Sequence, residues 1–261
     1  MTRSFLFPQD QADAQTTRLI ATAAERTGFM KGEPGTARAG WYRTGGDNSV
    51  VLAELHAALV ATYPKAGPAF WAVRMWTNLI WQPAYLAVIA AHLHGGVPDL
   101  AGLTQRRRGI YVDGYRLPPG PQSSGPVETM IDTAGEQLKA MAAQMLIEVN
   151  SLVKLKPLPA RRLFADRMLT LMVWLGQKRH DLGPDELRAY SDRWLAVLGL
   201  TGQGDLEAVA VPDGRELLIV KRKGCCLDYL IDPDRYCATC PKQDHAVRVA
   251  RQVSNALAEM G

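Results

Sequence analysis

All four cysteines of this 261-residue chain lie in one short segment near its C-terminal end. Cys225 and Cys226 are adjacent, ten residues follow, and Cys237 and Cys240 then form a Cys-x-x-Cys pair. Cysteines used only as small apolar core residues would be scattered among the helices, whereas thiolates that bind one metal centre must converge within a few Å. The spacing therefore predicts a metal centre in this segment.

The two halves of the segment differ in what they suggest about the metal. A Cys-x-x-Cys pair lets two sulfur atoms reach one tetrahedral ion, but zinc sites normally have gaps of two to four residues in both halves. Adjacent side chains diverge unless the backbone bends sharply, and Gly224 is the expected place for that bend. An iron–sulfur cluster is larger and tolerates irregular spacing better. The spacing alone leaves open an iron–sulfur cluster, structural zinc, disulfides or free thiols.

The pattern Cys-Cys-x(10)-Cys-x(2)-Cys, preceded by the apolar run 217–220 and three basic residues, resembles the FhuF-type ferric-siderophore reductases. The resemblance covers about residues 206–241. Farther upstream, Trp76 and Pro83 are similar to a Trp and a Pro at the same separation in that family.

The resemblance implies an enzyme, an oxidoreductase in which Cys225, Cys226, Cys237 and Cys240 hold a [2Fe-2S] cluster. Such a protein reduces siderophore-bound Fe(III) to Fe(II) by one electron and releases the iron in the cytoplasm. No Gly-x-Gly-x-x-Gly sequence follows a predicted strand, so the electron is expected from a ferredoxin or a flavoprotein reductase. The alternative is a binding or scaffold protein without redox activity, in which the four cysteines hold a stabilising zinc ion.

The composition is that of a soluble globular protein, with 47% hydrophobic and 21% charged residues. The net charge of +4 is spread along the chain, which gives nucleic-acid binding little support. The apolar stretch from Phe70 to His94 contains Arg74, Asn78 and Gln82, so we predict a buried pair of helices kinked at Pro83, not a transmembrane segment. Peripheral membrane association is left open. Without a signal peptide at the N-terminus, we expect a cytoplasmic protein with reduced thiols.

Apolar periodicity predicts a mainly α fold with short β-hairpins (α+β) and a C-terminal iron–sulfur-binding segment. The Pro, Gly and Ser residues of 118–126 predict a boundary between an N-terminal helical region with a hairpin, 1–120, and a second region, 127–261, that carries the C-terminal hairpin; one continuous domain is the alternative. The predicted helices are 9–28, 49–63, 70–94 as the kinked pair, 127–154, 160–180, 185–199 and 246–260.

Two hairpins and one long loop are predicted between these helices. Residues 109–117 read as a hairpin with Asp113 and Gly114 in its turn. A second hairpin, 207–223, turns at Pro212-Asp213-Gly214 and leads into the first cysteine. The Gly, Pro and Thr content of 31–47 predicts a loop.

Basic and aromatic side chains are the candidates for binding the ferric chelate, because many siderophores are anionic or expose oxygen atoms. The alternative for the basic residues is a solvated strand edge, and for the aromatic residues ordinary core packing. The predicted substrate-binding residues are Lys221, Arg222, Lys223, Arg106, Arg107, Arg108, Trp76 and Trp81.

Overall fold

The structure is a computed structural model and describes residues 8–260 apart from 212, 213, 215 and 235. The α-helices are α1 (Pro8–Thr27), α2 (Ser49–Thr62), α3 (Gly67–Ile89), α4 (Val127–Asn150), α5 (Pro157–Lys178), α6 (Pro184–Val197) and α7 (His245–Met260). The strands are β1 (Gly32–Pro34), β2 (Tyr42–Arg43), β3 (Thr104–Arg108), β4 (Tyr111–Leu117), β5 (Asp205–Ala210) and β6 (Glu216–Lys221). The predicted mainly helical fold with short hairpins is confirmed.

The chain forms two compact units that interleave along the sequence. The first consists of the residues up to Ala58 together with Asn78–Glu148, and the second of Leu59–Thr77 together with the residues from Val149 onward. The boundary predicted at 118–126 stays a prediction. Among the described residues, no helix combines the length and the hydropathy that a membrane crossing requires.

The first unit contains a four-stranded sheet in the order β1-β4-β3-β2, in which β1 is parallel to β4. The strands β1 and β2 fall within the stretch 31–47, for which the sequence predicted a loop, so that prediction is wrong in part. They are only three and two residues long, and they exist by pairing with β4 and β3 more than 60 residues away. Local composition carries little information about such pairings.

A hairpin is present in this region, but it is formed by β3 and β4 and not by residues 109–117 alone, so both its predicted bounds and its predicted turn are wrong. Arg108 pairs with Tyr111, so the chain reverses at Gly109 and Ile110, and Gly109 has the positive φ (62°) that such a tight turn needs. Gly114 instead lies inside β4 with a φ of 91°, close to the register shift between Gln105 and Arg107 on β3. The Asp-Gly pair therefore belongs to an irregular stretch of strand.

The predicted pair of helices is one continuous helix, α3, with Pro83 inside it. A proline in a helix leaves the carbonyl four residues earlier without its usual N–H partner. Here Gln105 donates from Nε2 to the Leu79 carbonyl at 3.0 Å, and Gln82 donates to the Gln105 side chain at 3.1 Å. This buried amide pair replaces the missing backbone bond, so the helix continues through the proline.

The second unit carries the cysteine segment. Strands β5 and β6 pair antiparallel along their whole length, from Asp205 opposite Lys221 to Ala210 opposite Glu216. Pro212 and Asp213 of the predicted turn lie outside the described residues. On α7, Gln252 both accepts from the Val220 N–H at 3.1 Å and donates to the Val220 carbonyl at 3.2 Å. This side chain satisfies the backbone of β6 just before the chain reaches the first cysteine.

Candidate metal centre

The four cysteines lie in two short arms of the second unit. Cys225 and Cys226 follow β6, and Cys237 and Cys240 precede α7. Cys240 is buried, the other three are half-buried, and all four are free thiols. The Sγ atoms of Cys226 and Cys237 are 3.9 Å apart. Two sulfur atoms on one tetrahedral metal ion, each about 2.3 Å from it, lie about 3.8 Å apart, so this pair is already spaced as two ligands of one metal atom.

Cys226 and Cys237 are at ligand spacing from each other, but the four thiols are not gathered around one point. Within the part of the chain that the structure describes, no three His, Cys, Asp or Glu side chains meet around a single metal-ion position. Hydrogen bonding between the paired thiols lowers the pKa of Cys237 and raises that of Cys226, and burial of Cys226 adds to its rise.

The first cysteine arm is held against α5 by a buried carboxylate. Asp166 accepts the backbone N–H of Gly224 at 2.6 Å and that of Lys223 at 3.1 Å, and it is only 3% exposed. Burial raises the pKa of Asp166 to about 6, against the lowering effect of these amides and of Arg222. Sequence reasoning missed this residue; the available signal was a charged side chain three positions after Leu163 on the apolar face of α5.

Gly224 is required here by close approach and not by a bend. Its φ is not in the left-handed region. A Cβ at this position would lie 2.8 Å from Asp166 Oδ2 and 2.9 Å from the backbone nitrogen of Leu163. The chain instead turns sharply just after the two cysteines, at Leu227, a non-glycine residue with a positive φ of 63°.

The loop that joins the two arms is fixed at Asp228. Its backbone N–H opposes the rise in the pKa of the Cys226 thiol, and its carboxylate forms an ion pair with Arg74 of α3 at 2.6 Å. Both charged side chains are about one-third exposed (32%). The turn at Leu227 and this ion pair together direct Cys226 toward Cys237.

A local turn and a glutamine shape the second arm. The Cys240 N–H donates to the Cys237 carbonyl at 3.0 Å, which closes the Cys-x-x-Cys turn. Gln243 donates to the same carbonyl at 2.6 Å, and Arg251 of α7 donates to Gln243 at 2.6 Å. Gln243 is a second residue that the sequence analysis missed, and its position three residues after the last cysteine gave no distinctive signal.

Of the three basic residues before the first cysteine, Arg222 is the one directed at the thiols. Its Nη1 lies 3.5 Å from Cys237 Sγ and 3.4 Å from Thr239 Oγ1, and its Nε lies 3.5 Å from Asp166 Oδ2. Burial disfavours the charged guanidinium, but the negative charges that Cys226, Cys237, Asp166 and Cys225 can carry outweigh burial and raise the pKa of Arg222.

The other predicted substrate residues have different surroundings. Lys221 is exposed at the end of β6, and Lys223 donates from Nζ to the Gly202 carbonyl at 2.9 Å. Trp76 is buried and packs edge-on against Phe164 of α5, with ring centroids 6.3 Å apart.

In the first unit, the remaining candidates lie on or beside the hairpin. Arg106 is exposed on β3, Arg107 pairs with Glu54 at 2.5 Å and Arg108 pairs with Asp113 at 3.4 Å. Trp81 donates from its indole nitrogen to the Val112 carbonyl at 2.8 Å. The substrate-binding role of all these residues stays a prediction.

The donor set and its surroundings fit an anionic iron–sulfur group. All the candidate ligands are thiols, as in Cys-ligated clusters. Beside them Arg222 is largely buried (16% exposed), and its Nε has no hydrogen-bond acceptor among the described residues. A buried cation is costly unless negative charge lies next to it, and here Asp166 and any thiolate sulfur supply that charge. These features define a protein with a metal–thiolate centre.

Comparison with known families agrees with this reading and is more specific. Residues 222–242, which contain the four cysteines, match the FhuF 2Fe-2S C-terminal domain. This segment is therefore similar to the FhuF 2Fe-2S domain, which indicates a [2Fe-2S] cluster as its cofactor. No solved structure matches the chain.

Proposed function

We propose that this protein is a ferric-siderophore reductase, and that Cys225, Cys226, Cys237 and Cys240 are the four ligands of its cluster. The observation that carries the proposal is the match of the four-cysteine segment to the FhuF 2Fe-2S domain. The paired sulfur atoms of Cys226 and Cys237 support the ligand assignment.

When bound, a [2Fe-2S] cluster accepts one electron and gives it to a second partner. In the proposed reaction that partner is Fe(III) held by hard oxygen ligands, and it becomes Fe(II). Hard oxygen ligands hold the larger, less charged ferrous ion less tightly, so the iron leaves the chelate. The electron balance requires one electron per iron from a donor protein, a ferredoxin or a flavoprotein reductase.

The residues around the thiols favour electron transfer in two ways: they supply positive charge, and they leave the site near the surface. A [2Fe-2S] site with four cysteine ligands carries a charge of about −2 before reduction and about −3 after it, so adjacent positive charge favours reduction of the cluster. Arg222 supplies such a charge at 3.5 Å from Cys237 Sγ. Three half-buried cysteines support a cluster close enough to the surface for both donor and chelate to approach. We propose that the reaction takes place in the cytoplasm, where thiols remain reduced.

Two measurements test the proposal. Protein made with adequate iron should be red-brown and contain two irons and two sulfides, and each Cys→Ser substitution should lose or deform the cluster, because a hydroxyl is a poor substitute for a thiolate. A colourless protein with one zinc and no sulfide would establish the zinc-stabilised alternative.

The second measurement follows the reaction itself. The cluster is reduced chemically without oxygen and mixed with ferric hydroxamate, catecholate and citrate chelates, and its reoxidation is followed by stopped-flow absorbance. Gallium(III) complexes of the same chelates are redox-inert controls. At least one ferric chelate should reoxidise the cluster rapidly, whereas no reoxidation with any of them would refute the function. Arg222→Gln and the exposed Lys221→Gln form a matched pair, and we expect the former to slow the chemical reduction of the cluster that precedes mixing more than the latter does.

A further inference from the structure

Asp166 is a buried acid that the proposed electron transfer does not itself use. It lies on α5, 58 residues before Gly224, and yet three of its contacts are with the cysteine arm: two backbone amides and the guanidinium of Arg222. An ordinary core position on α5 would be filled by an apolar side chain, as its neighbours Ala165 and Leu169 are. A buried carboxylate at this place therefore needs a role that an apolar residue cannot supply.

We propose that Asp166 is a positioning residue for the cluster: it fixes the backbone of Lys223 and Gly224, holds the Arg222 guanidinium beside Cys237, and thereby makes the cluster easier to reduce. The inference rests on the cysteine ligation proposed above. Asp166 acts through Arg222 and the cysteine arm, and it has no direct part in electron transfer.

The geometry places the cation between the carboxylate and the sulfur. The Nε of Arg222 faces Asp166 and its Nη1 faces Cys237, each at 3.5 Å. Among the described residues, the other side-chain partner on this guanidinium is the Thr239 hydroxyl at 3.4 Å. Without Asp166, a long and flexible arginine stem gains free energy by moving its charge to water. The carboxylate is therefore what keeps the charge beside the thiol.

The positioning role predicts a change in the cluster's reduction potential that is opposite in direction to the change expected from the charge of Asp166 alone. Asp166 is itself negative, so removing its charge while Arg222 stays in place would make the cluster easier to reduce. If Asp166 instead holds Arg222 in place, its removal lets the positive charge leave, and the cluster becomes harder to reduce. The direction of the change in reduction potential therefore separates positioning from a direct charge effect.

The experiment is a redox titration of the holoprotein followed by electron paramagnetic resonance. The variants are Asp166→Asn, Arg222→Gln and their combination, with Asp192→Asn as a control that removes an exposed carboxylate from α6 of the same unit. We expect lower potentials than wild type for Asp166→Asn and for Arg222→Gln. Adding Asp166→Asn to Arg222→Gln should lower the potential no further, because no guanidinium is left to position. The control should match the wild type.

A higher potential in Asp166→Asn, or an unchanged one in Arg222→Gln, would overturn the proposal. If Asp166→Asn assembles no cluster, amide hydrogen exchange at Lys223 and Gly224 is compared between the iron-free full-length proteins. Faster exchange in the variant supports the positioning role, and equal exchange overturns it. Chelate reduction is a separate matter: a wild-type cluster that no ferric chelate reoxidises refutes the reductase function, while the potentials still report on Asp166.

Discussion

Replacing Gly224 by alanine tests the contact that holds the first cysteine arm to α5. The new Cβ would lie 2.8 Å from Asp166 Oδ2, 2.9 Å from Leu163 N and 3.1 Å from the carbonyl carbon of Arg162. Two of these three atoms belong to the backbone of α5 and cannot rotate away. Because Gly224 does not have a positive φ, alanine is compatible with its backbone conformation, and the expected effect is purely steric.

The size of the effect follows from the overlap. Cβ atoms essentially never approach heavy atoms within 3.0 Å, so the arm must move away from α5 by a few tenths of an ångström. Overpacking of this kind costs about 1–3 kcal/mol. For a chain of this size each kcal/mol lowers the melting temperature by about 2–4 °C, so we expect a decrease of about 2–12 °C. The movement also lengthens the hydrogen bonds that the Lys223 and Gly224 amides donate to Asp166, so the variant should hold less iron.

Calorimetry and iron and sulfide analysis measure both outcomes. Gly120→Ala is the control, because a Cβ there meets no atom within 4 Å and the residue has no positive φ. It should melt at or slightly above the wild-type temperature, since alanine restricts the unfolded chain. A Gly224→Ala protein with an unchanged melting temperature and full iron content would show that the arm does not depend on close contact with α5.

Three further predictions concern ionic groups. Arg74→Gln removes the ion pair to Asp228; because both side chains are partly exposed, we expect a loss of no more than about 1 kcal/mol in unfolding free energy, but faster loss of the cluster's visible absorbance to an iron chelator. Burial raises the pKa of Asp166 from 3.8 to about 6, so as the pH falls Asp166 becomes protonated in the native state before it does in the unfolded state. The stability that protonation of Asp166 gives to the native state is complete below the pKa of the unfolded state, and it is lost as the pH rises through about 6. Urea titrations should therefore show wild type gaining about 2 kcal/mol over Asp166→Asn between pH 7 and pH 4, and a difference that shrinks on acidification would contradict this. In the first unit, Glu148→Gln weakens the bonds accepted from Tyr42 (2.7 Å), Gly45 and two side-chain amides; urea unfolding should show a loss of about 1–3 kcal/mol, and no loss would mean that this network is not stabilising.

The parts of the fold that sequence predicted well are those set by local periodicity. Helices α4 to α7 were found within a few residues of their ends, because their apolar positions recur every three or four residues and Pro or Gly marks their boundaries. The cysteine segment was found because its residue type and spacing are unusual. Both signals are contained in a short window of the chain.

The parts that were missed depend on contacts between distant segments. The continuity of α3 depends on Gln105, which lies 22 residues beyond the proline whose missing bond it replaces. The turn of the first hairpin moved from Asp113-Gly114 to Gly109-Ile110, since pairing between β3 and β4 decided the register. Asp166 was passed over because a single acid in an apolar helix has no visible partner until the chain folds.

The adjacent cysteines show how these distant contacts complete a local motif. Two neighbouring side chains on an extended strand point in opposite directions, so Cys225 and Cys226 would not serve one centre without a turn. The chain turns directly after Cys226, at the left-handed residue Leu227, and the Cys226 sulfur lies 3.9 Å from the Cys237 sulfur. Arg222 then interacts electrostatically with both adjacent thiols as well as with Cys237. Because Arg222 is largely buried and lies 3.5 Å from the Cys237 sulfur, we expect its position to matter more to the centre than the exposed charges of Lys221 and Lys223 on either side of it.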